Sequence, residues 1–183
     1  DELLAHTLVA RNLALAEKDG LSDFVAPCSA CYKNAYFTND YLKKDADLAE
    51  HINYALEADN LHVNGTMKVR HLIEVFIEDV GLEEIGKKTT HPLKGLRVAP
   101  YYGCQLLRPR KENENVENPQ FFENLLSALG AEPLDYPSKT RCCGGSLIVT
   151  NRKAALDMVH ILLQDAVNRK ADVIATTCPM CNV

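Results

Sequence analysis

The chain lacks four things that would each have named a function class. Its 183 residues hold no apolar stretch near the ~20 residues that a membrane-spanning helix needs. Its first residues lack the basic-then-apolar pattern of a secretory leader. Lys and Arg number 20 against 25 Asp and Glu, with no clustered basic face, so the electrostatic footprint of a phosphate backbone is missing and nucleic acid is excluded as a partner. Its six histidines (His6, His51, His62, His71, His91 and His160) show no ligand-like pairing and read as surface or core residues. Hydrophobic content of 46% and charged content of 25% then describe an ordinary globular composition. The chain opens on DELLAHTLVARNLALAEK, which has the pattern of a helix interior, and stops after CPMCNV. Both ends predict a piece of a longer protein.

Cysteine is what the chain does have: seven, an odd number, six of them in tight pairs. With no leader peptide, metal binding is the better reading than a disulfide framework, and a cytoplasmic location is expected.

Patterning places these cysteines at the ends of predicted strands. Ala5, Leu8, Val9, Leu13 and Ala16 predict a first helix closed by Gly20. A short strand, 23–26, runs into Cys28-Ser-Ala-Cys31. Two or three helices should follow, the clearest with Val69, Leu72, Ile73, Phe76, Ile77 and Val80 on one face. The polar segment 86–95 is the expected boundary between a unit 1–90 and a unit 91–183. Leu96, Val98 and Ala99 predict a strand leading to Cys104. KENENVEN, residues 111–118, predicts a solvated loop, and Phe121 to Leu129 a helix that Gly130 closes. Leu134–Tyr136 predicts a strand before Arg141-Cys142-Cys143-Gly144-Gly145. A long helix over 151–169 should bury Ala155, Met158, Val159, Leu162 and Ala166. Val173, Ile174 and Ala175 predict the strand that delivers Cys178-Pro-Met-Cys181. Strands alternating with helices predict an α/β fold with a largely parallel sheet, whose ligands sit beyond the strands' carboxyl ends. SDFVAP-CSAC near the start and ADVIATT-CPMC at the end also form an internal repeat, which predicts a tandem duplication with an incomplete first copy.

A lone CxxC serves zinc, iron–sulfur and dithiol redox sites alike. A thioredoxin-type site needs only its own two cysteines, whereas this module adds Cys104 and the adjacent Cys142-Cys143. Adjacent thiolates fit poorly around one tetrahedral ion and better on two irons of one cluster. Gly144 and Gly145 let the backbone turn tightly and approach bulky inorganic sulfide. Five thiolates also exceed the four of a closed zinc or cubane site. A zinc site using four of the five, and buried structural thiols, remain the alternatives. Arg108 and Arg110 flank Cys104 after Tyr101 and Tyr102, where an anionic substrate group or plain solvent would suit them. Met180 is expected to pack beside the cluster.

Thirty-seven residues separate Cys104 from Cys142, and thirty-four separate Cys143 from Cys178. This C-x37-CCG-x34-CxxC spacing resembles the cysteine-rich CCG domain of the B subunit of heterodisulfide reductase, of the iron–sulfur subunits of glycolate and lactate oxidases, and of an unusual succinate dehydrogenase. YYGCQLLRP, CCGGSLIVTNRKAALDM and CPMCNV look most like the first of these. The resemblance implies tandem Rossmann-like domains, the first incomplete here. It implies a noncubane [4Fe–4S] cluster on Cys104, Cys142, Cys143, Cys178 and Cys181. Cys28 and Cys31 match the closing CxxC of the first domain, so ligation there is implied in the intact protein, with free thiols, a disulfide or a zinc site as the alternatives in this chain. The implied activity is reduction of a disulfide, coenzyme M–S–S–coenzyme B or an analogue, as in methanogenesis. The implied partners are two further subunits of the same complex, one flavin-containing and one ferredoxin-like. A non-catalytic electron relay, as in the oxidase relatives, is the second reading.

Overall fold

The computed structural model describes residues 2–109 and 115–181. Contacts divide the chain into Asp1–Leu72 and Ile73–Val183.

In the first unit, helix α1 (Glu2–Lys18) packs on α2 (Ser29–Lys44) and α3 (Ala46–Leu56). The buried face of α1 is Ala10, Leu13 and Ala14, while Ala5 and Leu8 lie exposed. Both stripes have helical spacing, and the alanine-rich one lets the helices approach more closely. Asp45 ends α2 and caps α3, where its carboxylate accepts the Leu48 N–H at 3.0 Å. Strand β1 (Asp23–Ala26) pairs in parallel with β2 (Lys68–His71), with Phe24 opposite Val69. Val69 therefore belongs to a strand, not to the helix its spacing with Leu72 and Ile73 suggests. The helical part, α4 (Leu72–Val75) and a π-helical turn (Phe76–Val80), begins three residues later.

A surface clamp fixes the turn before β2. The Glu17 carboxylate accepts four hydrogen bonds, from Asn64 N (2.8 Å), Asn64 Nδ2 (3.1 Å), Thr66 N (2.8 Å) and Thr66 Oγ1 (2.9 Å). Burial pushes the Glu17 pKa up, but these donors together outweigh it and the net shift is downward. A carboxyl with a depressed folded-state pKa adds stability above its unfolded pKa and loses it as pH falls through the folded value. Glu17→Gln should therefore cost about 1–2 kcal/mol at neutral pH. That deficit should shrink as pH drops below the unfolded carboxyl value, about 4.5. Urea unfolding of both chains between pH 3 and pH 7 measures it.

The second unit is built on a three-stranded sheet of order β4-β3-β5, parallel throughout. Its strands are β3 (Arg97–Tyr101), β4 (Glu132–Pro133) and β5 (Val173–Thr176). Strand β4 ends before the expected Leu134–Tyr136, because only Glu132 and Pro133 register with Arg97 and Val98. Helix α5 (Leu82–Lys88) packs on α7 (Phe121–Ala128), and α6 (Gly103–Leu107) follows β3 directly. Helix α8 (Arg152–Asn168) is capped by Asn151, which accepts from Ala154 N at 3.1 Å. It buries Ala155, Leu162 and Ala166, while Met158 and Val159 are half-buried. Under the sheet's carboxyl edge lies a core of Ala99, Tyr101, Tyr136, Leu162 and Ala166, against which Cys143, Ile174 and Cys181 pack. At the opposite edge Asp172 binds Arg97 through its backbone N (2.8 Å), Nε (3.3 Å) and Nη2 (3.1 Å), locking β5 to β3.

A five-thiol cup at the carboxyl edge of the sheet

Each strand of the second unit hands the chain to a loop on one edge, and the cysteines lie in those loops. Strand β3 passes through Tyr102 into α6, whose first turn carries Cys104. The segment after β4 makes a 3-10 turn, Pro137–Thr140, and then presents Cys142 and Cys143. Strand β5 delivers Cys178, and a second short turn, Pro179–Cys181, brings round Cys181. Cys104, Cys142, Cys143, Cys178 and Cys181 together line one open cup of about 370 Å³, counting its mouth. Tyr102, Gly103, Gln105, Ser146 and Met180 complete the wall. None of the six histidines lines it. All five cysteines are thiols rather than disulfides. Among the described residues no three metal-ligating side chains converge as they would around a single ion.

The glycines of the CCGG run have specific roles. Gly144 sits at φ +76°, and a Cβ there would meet Met158 Sδ at 3.0 Å and the Ala155 Cα at 3.1 Å. It turns the loop onto α8. A Cβ on Gly145 would meet the Met180 carbonyl oxygen at 3.1 Å and Cys143 Sγ at 3.4 Å. The tight approach at both glycines is thus to protein atoms. It also turns two backbone donors onto sulfur: Gly144 N–H to Cys142 Sγ (3.3 Å) and Gly145 N–H to Cys143 Sγ (3.4 Å).

Cys143 and Cys181 share a proton, with their sulfurs 3.4 Å apart. The hydrogen bond from Cys181 draws the Cys143 pKa down first. The Gly145 N–H adds to it, outweighing burial, and the thiol is brought to about 6. Cys181, as the donor, is pushed up by the same contact and by burial. Burial also pushes Cys104 up, with Cys142 beside it. Thiolate is the form that binds metal, so the downward shift at Cys143 favours ligation there. Tyr101 is kept a neutral phenol, first by burial and then by the cysteines around it, Cys143 foremost. Its hydroxyl donates to the Arg141 carbonyl at 2.6 Å.

A donor set of five thiols with two backbone N–H···S contacts fits a thiolate-bound iron–sulfur cluster better than a zinc ion. Zinc takes four ligands around one point, whereas a cluster spreads its irons and is tuned by hydrogen bonds to its sulfurs.

The cup is drawn wholly from the second unit. Cys28 and Cys31 belong to the first, Cys28 half-buried at the N-cap of α2 and Cys31 exposed in its first turn. The two CxxC pairs differ locally: Ser29 opens a sixteen-residue helix, while Pro179 opens a single turn. Arg108 is exposed beside α6, where its charge favours the Cys104 thiolate, and Arg110 lies outside the described residues, as do 111–114 of the expected loop. Met180 lines the cup. Gln105 and Ser146 do too, and their positions next to Cys104 and the CCGG run were the available signal.

Residues 98–183 match the model of the CCG family, described as a cysteine-rich domain. The chain is 36% identical over 180 residues to the B subunit of a ferredoxin/F(420)H(2)-dependent CoB-CoM heterodisulfide reductase from Methanosarcina acetivorans, covering 96% of this chain and 59% of that one. It is 33% identical over 185 residues to the membrane anchor subunit of an 8-methylmenaquinol:fumarate reductase from Wolinella succinogenes, covering all of this chain and 63% of the relative. The chain thus spans about three-fifths of the length of these curated relatives. A hypothetical protein from Helicobacter pylori has the same fold, with a TM-score of 0.68 at 15% identity, over 96% of this chain and 31% of that structure. No described helix is long and apolar enough to cross a membrane.

Proposed function

Residues 98–183 belong to the CCG cysteine-rich domain family, and on that premise we propose that the chain is the iron–sulfur subunit of a heterodisulfide reductase-like oxidoreductase. The observation that carries this reading is the cup itself, where five thiols from three strand ends line one wall. Cys104, Cys142, Cys143, Cys178 and Cys181 would hold a noncubane [4Fe–4S] cluster, which supplies storage and delivery of single electrons. Loading it requires deprotonated thiols, so the proton shared by Cys143 and Cys181 leaves on binding. Gly144 N–H and Gly145 N–H stay aimed at Cys142 and Cys143 sulfur and spread their charge. Tyr101, held neutral, keeps the loop closed through Arg141. The core under the cup excludes water from its floor.

The substrate in this reading is a small disulfide, coenzyme M–S–S–coenzyme B or an analogue. Two electrons and two protons convert it to two thiols, the electrons arriving from the flavin-containing and ferredoxin-like partners. Cys28 and Cys31 are the remaining ligand pair of a companion site in the whole protein, and the setting is cytoplasmic. A second reading, a non-catalytic electron relay, is favoured by one observation: the 33% likeness to a fumarate reductase anchor protein runs the full length of this chain.

Iron, sulfide and zinc analysis with EPR on anaerobically prepared and reconstituted protein tests the centre. About four irons per chain are expected. Stoichiometric zinc without iron, after reconstitution, would sink the proposal. Disulfide reduction by the protein with its partner subunits separates the catalytic reading from the relay, which would pass electrons without consuming disulfide.

A further inference from the structure

Three side chains, Tyr102 of the cup's wall with Lys139 and Glu123 beyond it, bond to none of its sulfurs, yet they are tied tightly to one another. Lys139 and Glu123 form an ion pair at 2.6 Å, with side chains only 5% and 11% exposed. Tyr102 is fully buried and donates its hydroxyl to the other Glu123 oxygen. The same hydroxyl accepts the Phe122 N–H at 2.9 Å. Lys139 Nζ also donates to the Pro119 carbonyl at 2.7 Å and lies 5.8 Å from the centre of the Tyr102 ring. The Tyr102 N–H donates to the Lys139 carbonyl at 3.0 Å, which closes the ring of contacts.

A buried ion pair is a poor way to gain stability, since apolar residues of similar volume do as well or better. What such a network does provide is a single allowed geometry. Here the geometry joins two specified segments. Cys104 stands two residues after Tyr102, and Cys142 three residues after Lys139. The third loop of the cup, Cys178 to Cys181, follows β5 and supplies none of these bonds.

We propose that Lys139, Glu123 and Tyr102 are positioning residues that hold the Cys104 loop and the Cys142-Cys143 loop at the separation the metal centre needs. The proposal rests on the cluster reading for what the loops hold, but the coupling of the two loops is measurable without metal. In the metal-free full chain, timed iodoacetamide labelling read by mass spectrometry gives a rate for each cysteine. In Tyr102→Phe and Glu123→Gln, Cys104, Cys142 and Cys143 should label about ten-fold faster, equivalent to ~1.4 kcal/mol of easier loop opening. Cys178, Cys28 and Cys31 should keep their rates. All seven rates rising together would mean plain destabilisation and would overturn the proposal, as would no change. Tyr102→Phe removes one hydroxyl and keeps the ring, so it serves if Glu123→Gln does not fold. On reconstituted protein, the EPR signal of Tyr102→Phe should differ in shape from that of the unsubstituted chain. An identical signal would overturn the link to the centre. If the unsubstituted chain takes up no iron, the cluster reading fails while the labelling still decides the positioning role.

Discussion

Cys143→Ser should lower reconstituted iron by at least ten-fold, from about four irons per chain. The size follows from what Cys143 does in the cup. It receives the Gly145 N–H, shares a proton with Cys181 and is the thiol drawn down to about 6. A serine hydroxyl keeps the shape but stays protonated at neutral pH and is a hard donor where soft thiolate is wanted. It also leaves Cys181 without the thiolate it donates to. Cys142→Ser should lose less, because Cys142 lacks the Cys181 contact that draws Cys143 down. Cys28→Ser and Cys31→Ser, in the first unit, should leave the iron of the cup unchanged. Iron and acid-labile sulfide per chain, measured side by side in the four variants, check this order. Equal losses in all four would mean the metal is held by the first unit or by unfolded thiols.

Much of this site is legible in the sequence because each cysteine follows a recognisable strand. Val98 and Ala99 before Cys104, and Val173 to Ala175 before Cys178, are short apolar runs; β3 is covered on both faces and reads that way, while β5 keeps the apolar run with Val173 exposed. The same property hides strand β2. Val69, Arg70 and His71 are all buried, so no alternation marks them, and Val69 falls by chance into helical spacing with Leu72, Ile73 and Phe76. Nothing local separates the two periods over four residues. Strand β4 is two residues long and set by its register on β3, which only the tertiary structure supplies. The network behind the cup is invisible for a different reason. Lys139 stands between Ser138 and Thr140, and Glu123 between Phe122 and Asn124, so both look like solvated surface residues. Charged groups are fully buried only when partnered, and these partners lie 16 positions apart.

Lys139→Met should cost about 3–5 kcal/mol of stability in the second unit, the usual consequence of stranding one partner of a buried ion pair. Glu123 would keep the Tyr102 hydroxyl as a donor, but one hydrogen bond does not offset a carboxylate taken out of water. The Pro119 carbonyl would also lose its donor. Adding Glu123→Leu removes the stranded charge, and the double variant should recover most of the loss. Recovery should fall short by about 1–3 kcal/mol, because the Tyr102 hydroxyl then has no acceptor in a dry site. The chain has no tryptophan, so urea unfolding is best followed by circular dichroism together with tyrosine fluorescence. The two numbers separate stability from placement. If the network served stability alone, the recovered double variant would also label Cys104, Cys142 and Cys143 at the original rates. If it sets loop geometry, stability returns while those three cysteines stay fast, since Met and Leu repack without the directional side-chain bonds that run from Tyr102 through Glu123 to Lys139. A double variant as unstable as Lys139→Met alone would show that side-chain shape, rather than charge, is what this part of the core requires.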